Sequence, residues 1–503
     1  MENNVNIGII DIIANKRESD FKCKYVNSNM TSIMPQVIAV WLERLGHKVW
    51  YFTYTGNERL MKELNIELDV VFISSYTESA YLSYAISGFY QMLGIIRVLG
   101  GPHARSYPKE SSKYFDYVIK LCDEQLIKYL LEDITRQDKG IILSSSRQPS
   151  ELAPIKDRWK YIIANDKKTP SFIPIIAPLV SSFGCLYHCE FCIDSDTPYE
   201  MLSSKLIEND LEFLNKQKVP IIALWHDPNF GVKFNQTIHL ISKNQKNKKL
   251  KHMSEMSLSI LSENNVKQLK DNNFIGVAPG LESWSSYDNK TGRTSYNSKL
   301  EKVESISNQI NMISKYIPAV QVNMIFGLDV DVDEQCFELT KEFMKRTPGI
   351  YTNFQIITIF GNSTPLSKRL RDENRIINLP FNLMNGYSYT NVKLNYDLFS
   401  FYTKYKDLFK YSISKTISLK KLLYAKELSG KLFNLAKIIT TKNIWKEFDE
   451  FSKELKRNDK MISYHKGENK NLPIEYKKKI KKELRQWYMY LPYEIKEQLQ
   501  YKE

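Results

Sequence analysis

Along roughly the first 140 positions, short apolar runs alternate with stretches in which apolar residues recur every three or four places. The run at 6–13 gives way to a helical pattern over 35–45, where Val37, Ile38, Val40, Trp41 and Leu45 share a face and Gly46 supplies the stop. Strand-like runs return at 48–52, 69–77 and 96–103, with a helical pattern over 81–93 between the last two. Strand, helix and strand in this order predict parallel βαβ units, and so a doubly wound, Rossmann-like α/β domain.

An open parallel sheet takes its ligand beyond the carboxyl ends of its strands. The small and polar residues that close two of these runs, Ser74, Ser75, Tyr76 and Thr77 in one and Gly100, Gly101, Pro102 and His103 in the other, are therefore expected to face one site. A strand-to-helix turn favours Gly, Ser and Thr for its own geometry, so it is the pair of loops that carries this expectation.

Periodicity lapses between 146 and 178, where Pro149, Pro154, Pro170, Pro174 and Pro178 accumulate, which predicts a linker. A second alternation runs to about 375, with strands expected at 220–225, 275–278, 320–325 and 353–358, and reads as a parallel β/α barrel, complete or partial. Beyond it the chain is mainly basic amphipathic helix, as over 474–489, and its plain reading is a solvated helical cap. The expected division is a doubly wound domain over 1–140, a linker over 141–178, a barrel over 179–375 and a helical region over 376–503.

Bulk composition narrows the function classes. A chain of 503 residues favours several domains, and 43% hydrophobic with 25% charged residues excludes a largely disordered one. The formal charge of +14 would suit nucleic acid, but the lysines are interleaved with acids and scattered, which does not favour it. No run is long and apolar enough to span a bilayer, and the N-terminus lacks a secretory pattern, so the expected location is cytoplasmic, with any membrane contact peripheral.

Three of the six cysteines, Cys185, Cys189 and Cys192, crowd into eight residues, which in a reducing compartment favours metal over disulfides. Closely spaced thiolates suit a soft metal centre. Structural zinc would need a fourth ligand; His188 could supply it, but no second cysteine knuckle follows. Cys23, Cys122 and Cys336 are isolated.

The Cys-x3-Cys-x2-Cys spacing, with Phe191 just before the last cysteine, resembles the signature of the radical S-adenosylmethionine (SAM) superfamily. That resemblance implies a [4Fe-4S] cluster held by Cys185, Cys189 and Cys192, with one iron open to SAM and a deoxyadenosyl radical as the product of cleavage. Segments around Trp225–Gly231, Glu255–Ser259 and Pro279–Ser283 look like the superfamily's strand ends. They imply SAM contacts from Phe191, Ser257 and Glu282, and from Asp227, which stands where a Gly-Gly-Glu triplet is missing. No residue is singled out as a catalytic acid, base or nucleophile.

A doubly wound domain ahead of such a barrel resembles the cobalamin-binding class of the superfamily. It implies that Ser74, Ser75, Thr77, Gly100, Gly101, Pro102 and His103 line the cofactor's nucleotide tail. The segment 116–124 looks like the class's next strand and turn, with Leu121-Cys122-Asp123-Glu124 in place of Gly-x-Gly-Glu. The Asp-x-His-x-x-Gly motif is absent from the early loop, so cobalamin is expected without a protein histidine below cobalt. The implied activity is methylation of an unactivated carbon in a small molecule, lipid or peptide, with electrons from a donor such as flavodoxin or ferredoxin. Three alternatives stay open: cobalamin-dependent rearrangement or cyclisation, a SAM-only radical enzyme with a vestigial first domain, and a non-enzymatic zinc-stabilised protein that binds RNA or lipid.

Overall fold

The computed structural model describes residues 5–14, 31–56, 67–132, 134, 140–166, 173–195, 197–293, 295–331 and 334–501. Cys23 lies outside the described residues.

Six strands form the first sheet: β1 (Asn6–Ile12), β2 (Lys48–Tyr54), β3 (Val70–Ser74), β4 (Ile96–Gly100), β5 (Tyr117–Ile119) and β6 (Ile141–Leu143). They pair in parallel in the order β2-β1-β3-β4-β5-β6. The chain steps outward from β1 to β2 and then crosses back to β3, so a ligand crevice opens above the ends of β1 and β3. Apolar residues of β1, β3 and β4 point to both faces, as in a sheet covered on each side. The helix Ile33–Arg44 lies in the core on one face and the helix Ala80–Met92 in the core on the other.

The described residues of the segment expected as a linker, 141–166 and 173–178, take part in both sheets and in a helix between them. Residues 141–143 add β6 to the edge of the first sheet, a strand too short for periodicity to reveal. After Pro154 comes a helix, Ile155–Asp166, that spans two cores: Tyr161, with Leu152 and Ala153 just before the helix, packs with the first sheet, and Ile155 and Ile162 pack with the second. Arg158 on this helix is buried and donates from Nε to the Ala153 carbonyl (3.0 Å) and from Nη1 to Gln36 Oε1 (3.2 Å).

The second sheet contains β7 (Ile175–Leu179), then, after a small ribbon of β8 (Ser182–Phe183) and β9 (Glu200–Met201), the strands β10 (Ile221–Trp225), β11 (Leu250–Ser257), β12 (Phe274–Glu282), β13 (Ala319–Phe326) and β14 (Tyr351–Ile356). The six large strands pair in parallel and in chain order, with β7 and β14 as the two edges, which is a partial barrel. β12 runs further than the expected 275–278, and β11 and β12 carry Glu255 and Glu282 within the strands. In β10, β11 and β13 accessible positions alternate with buried ones, so one face of the sheet stays accessible while the other packs beneath helices.

The C-terminal helices are not a detached cap. Phe401, Tyr405 and Phe448 belong to the barrel's core, while Trp487, Leu491, Ile495 and Leu499 return to that of the first sheet. The helix expected over 474–489 stops at Leu484; a 3-10 turn, Arg485–Tyr490, begins with Arg485 at φ 48° and carries Trp487 against Phe89. Gly88 permits this docking, because a Cβ there would sit 2.1 Å from the Tyr490 carbonyl oxygen.

Candidate cofactor and active site

The three clustered thiols stand on the loop between β8 and β9, whose pairing of Ser182 with Met201 and Phe183 with Glu200 brings the loop's ends together. Gly184 closes the neck at φ +69°, where a Cβ would lie 2.2 Å from the Pro198 carbonyl oxygen. Inside the loop, Cys192 N–H donates to the Cys189 carbonyl (2.9 Å), Ser195 N–H donates to the Cys192 carbonyl (3.1 Å), and His188 Nδ1 lies 2.9 Å from the Ser195 carbonyl. The N–H groups of Tyr187 and Asp194 point to Cys185 Sγ and Cys192 Sγ, each at 3.4 Å. Such donors favour the thiolate.

All three thiols are partly accessible, whereas Cys336 is buried. Burial pushes the Cys189 thiol up to about 11, with Lys290 acting against it; burial also raises Cys192, with the Asp194 N–H opposing. Loading a metal centre would therefore release protons. Among the described residues no three His, Cys, Asp or Glu side chains are drawn together to hold a metal ion. A single zinc ion needs four ligands converging at about 2.0–2.3 Å. Three thiols within electrostatic reach of one another, two of them facing backbone donors, are a donor set of the type that holds sulfur-ligated clusters. Phe191 packs edge-on against Tyr287 with ring centroids 5.4 Å apart, and so anchors the loop to the barrel.

Asp227, expected as a SAM contact, is tied to the strand that leads into the cysteine loop. It is buried, and its carboxylate accepts from the Ser181 N–H (3.0 and 3.1 Å), Ser181 Oγ (2.5 Å) and Ser182 Oγ (2.8 Å), the residues that lead into the cysteine loop. Just past the end of β10, the neighbouring His226 is exposed. Ser257 lies 2.9 Å from Ser259 Oγ, which lies 2.7 Å from Tyr187 OH, so the top of β11 joins the cysteine loop through hydroxyls. The Ser257 N–H donates to Asn229 Oδ1 at 2.8 Å.

Glu282 ends β12 at φ 64° and pairs with Lys290. Burial works against the Lys290 charge, but Glu282 and the Cys189 thiol raise its pKa on balance, so a cation stands beside the cysteines. No periodicity or motif marked Lys290. Its loop is fastened by buried Lys302, whose Nζ donates to the carbonyls of Ser283 (2.9 Å) and Ser286 (2.6 Å) and to Asp288 Oδ1 (2.7 Å). On the sheet's accessible face, Gln321 Nε2 and Asn353 Nδ2 both donate to Asn323 Oδ1, at 2.8 and 3.2 Å. Glu255 shares that face; burial raises its carboxyl pKa, and the Glu282 charge raises it further.

At the first sheet, the register sets Asp11, Ser74 and Gly100 side by side at the ends of β1, β3 and β4. Gly101 and Pro102 are exposed, and a Cβ added to Gly100 meets nothing within 4 Å, an open cradle of the kind a large ligand could fill. Gly101 itself needs φ +87°, with Ser75 N 3.0 Å from where a Cβ would be. Three expected contacts turn inward. Ser75, Thr77 and His103 are buried, with His103 Nε2 2.7 Å from Tyr84 OH and Nδ1 3.3 Å from Thr77 Oγ1. Burial lowers the His103 pKa to about 3, so it is a neutral core histidine with both nitrogens occupied, unsuited to ligating cobalt. Asp11, which sequence alone did not single out, accepts from Ser32 N–H (3.0 Å), Ser32 Oγ (2.8 Å) and Tyr51 OH (3.1 Å), and burial raises its carboxyl pKa.

No family model matches the chain. It is 25% identical over 307 residues to bacteriochlorophyllide d C-8(2)-methyltransferase of Chlorobaculum tepidum, a match spanning 58% of this chain and 66% of that relative, just under two thirds of its length. A radical SAM methyltransferase, TsrM, from Kitasatospora setae, solved with cobalamin and a [4Fe-4S] cluster bound, superposes with a TM-score of 0.54 over 89% of this chain and 99% of that one, at 12% identity. The same enzyme solved with tryptophan substrate and a SAM analogue gives a TM-score of 0.52 over 73% and 76% of the two chains, at 14% identity. At such identities the likeness is one of fold: this chain shares with that enzyme a parallel sheet domain, a partial barrel and a helical C-terminal region.

Proposed function

We propose that this chain is a cobalamin- and SAM-dependent radical enzyme that methylates an unactivated carbon. The observation that carries this reading is the direct tie between its two candidate cofactor loops. Arg105, four residues past Gly101, donates to Asp194 Oδ1 (2.8 Å), the Ile193 carbonyl (2.9 Å) and Thr197 Oγ1 (2.5 Å), all just after Cys192. The methyltransferase relative and the shared architecture support methyl transfer over rearrangement.

When bound, a [4Fe-4S] cluster and cobalamin would supply reductive SAM cleavage and methyl transfer. The chain's own part is positional. Cys185, Cys189 and Cys192 would hold the cluster, and the cation of Lys290 offsets negative charge beside it. Asp227 fixes the strand entering the loop, and the Tyr187, Ser259 and Ser257 hydroxyls join the loop to β11. Ser74, Gly100, Gly101 and Pro102 would border the cobalamin tail, and the amides of Gln321, Asn323 and Asn353, with Glu255, offer a substrate hydrogen-bonding partners.

The test needs no substrate. Anaerobically reconstituted protein given reduced cobalamin and methyl-labelled SAM should retain label on its bound corrinoid, released by light. Iron-loaded protein that cleaves SAM but retains neither corrinoid nor label would point to the SAM-only alternative.

A further inference from the structure

We infer that the face made by the helices Lys415–Tyr424 and Leu428–Leu455 docks the protein on an anionic lipid surface. On the longer helix, Leu428, Leu432, Leu435 and Ile439 point to solvent, with exposures from 42% at Ile439 to 72% at Leu428. At about 100° per residue these four fall within a stripe roughly 60° wide, so they form one apolar ridge. Leu419, Leu423 and Tyr424 of the shorter helix are equally exposed. Asn434 Nδ2 fastens the two helices by donating to the Lys421 carbonyl at 2.8 Å. Buried residues of the same helices, Ile417, Ile438, Phe448 and Phe451, already face the core, so the exposed ridge is a second apolar face that folding does not use.

Charge identifies the occupant. Lys415, Lys420, Lys426, Lys431, Lys442 and Lys446 are all exposed on these helices and the turn between them. From Lys415 to Lys446 the sequence holds one acid, Glu427, and Lys270 pairs with it at 2.7 Å. Apolar side chains flanked by lysines, on a helix lying flat against the protein, are what an interfacial helix presents to lipid acyl chains and anionic headgroups. A twofold contact between two copies would set these lysines against themselves. Single-stranded RNA would want aromatic stacking platforms, where this ridge has leucines. Among the described residues no helix is long and apolar enough to cross a membrane, so the contact is peripheral.

The experiment is flotation of the full-length protein with vesicles of phosphatidylcholine alone or with about one quarter phosphatidylglycerol. The protein should float with the anionic vesicles at low salt and stay behind with the neutral ones. Neutralising three lysines, Lys431→Gln, Lys442→Gln and Lys446→Gln together, should weaken binding roughly tenfold or more. Replacing Leu428, Leu432 and Leu435 together by Ser should abolish it, with melting temperature and iron loading unchanged because these side chains are exposed. Absence of flotation on anionic vesicles, or flotation indifferent to both triple variants, overturns the inference. So does a stable dimer that the Ser variant dissociates while vesicle binding is nil, since the ridge would then belong to a second copy.

Discussion

Arg105 of the first domain donates to Asp194 of the cysteine loop at 2.8 Å, and its other guanidinium nitrogen reaches the Ile193 carbonyl and Thr197 Oγ1. Residues 89 apart in sequence thus join the helix after Gly100–Gly101 to the turn after Cys192. Each side chain of the ion pair is about a quarter exposed, at 24% and 23%, which limits its strength. Arg105→Ala should cost about 1–2 kcal/mol of loop ordering and lower iron retention after desalting several-fold. Arg105→Lys should restore little, because an ammonium cannot reproduce the fork. Iron retention equal to wild type in Arg105→Ala would remove the tie from the account.

Asp227 offers a sharper choice between anchoring and SAM contact. As an anchor, Asp227→Asn should weaken the Ser181 and Ser182 bonds, lower stability by about 2–3 kcal/mol and reduce iron content. The fraction that keeps its cluster should show a near-normal KM for SAM. Full iron with a large rise in KM would make Asp227 a SAM contact after all.

At the first sheet the two glycines answer different questions. Gly100→Leu projects into open space, so it should reduce cobalamin retention about tenfold or more while iron and melting temperature hold. Gly101→Ala forces a side chain onto φ +87° beside Ser75, and should lower stability by about 1–2 kcal/mol whatever ligand binds. Unchanged cobalamin retention in Gly100→Leu would move the cofactor away from this loop.

Three buried histidines set an acid limit. Burial lowers His103 and His252 to about 3 and His465 to about 4, below the ordinary 6.5. Between those values the unfolded chain binds more protons than the folded one, so their stabilising effect is complete above pH 6.5 and declines as pH falls. At pH 5.5 each should cost about 1.4 kcal/mol relative to pH 7.5. Urea midpoints at the two pH values check this; equal midpoints would mean that these rings titrate normally.

Much of this was legible because local pattern and global fold agree. The βαβ rhythm located the strands of the first sheet through β4, and the thiol spacing singled out the loop that β8 and β9 close. What escaped depends on direction and on distant partners. Sequence cannot tell that Asp227 is buried against Ser181 and Ser182 while His226 beside it is exposed. The packing that buries His103 comes partly from Phe381, far along the chain, whose ring lies 4.9 Å away. Lys290 sits in a four-residue 3-10 turn, Asp288–Thr291, too short for periodicity to reveal, and β6 is three residues long. The return of Trp487 and Leu491 to the first sheet is a long-range contact that reads locally as one more amphipathic helix.

On the reading proposed above, one chain holds both a three-cysteine iron-sulfur cluster and cobalamin. The most direct test of this reading is metal and corrinoid analysis of a single anaerobically reconstituted sample, with Cys185→Ala, Cys189→Ala and Cys192→Ala prepared in parallel. The account predicts about four irons and one cobalamin per chain, with iron lost in each of these variants and retained in Cys122→Ala and Cys336→Ala. Tightly bound zinc with no brown chromophore, or full iron in any of the three loop variants, would contradict it.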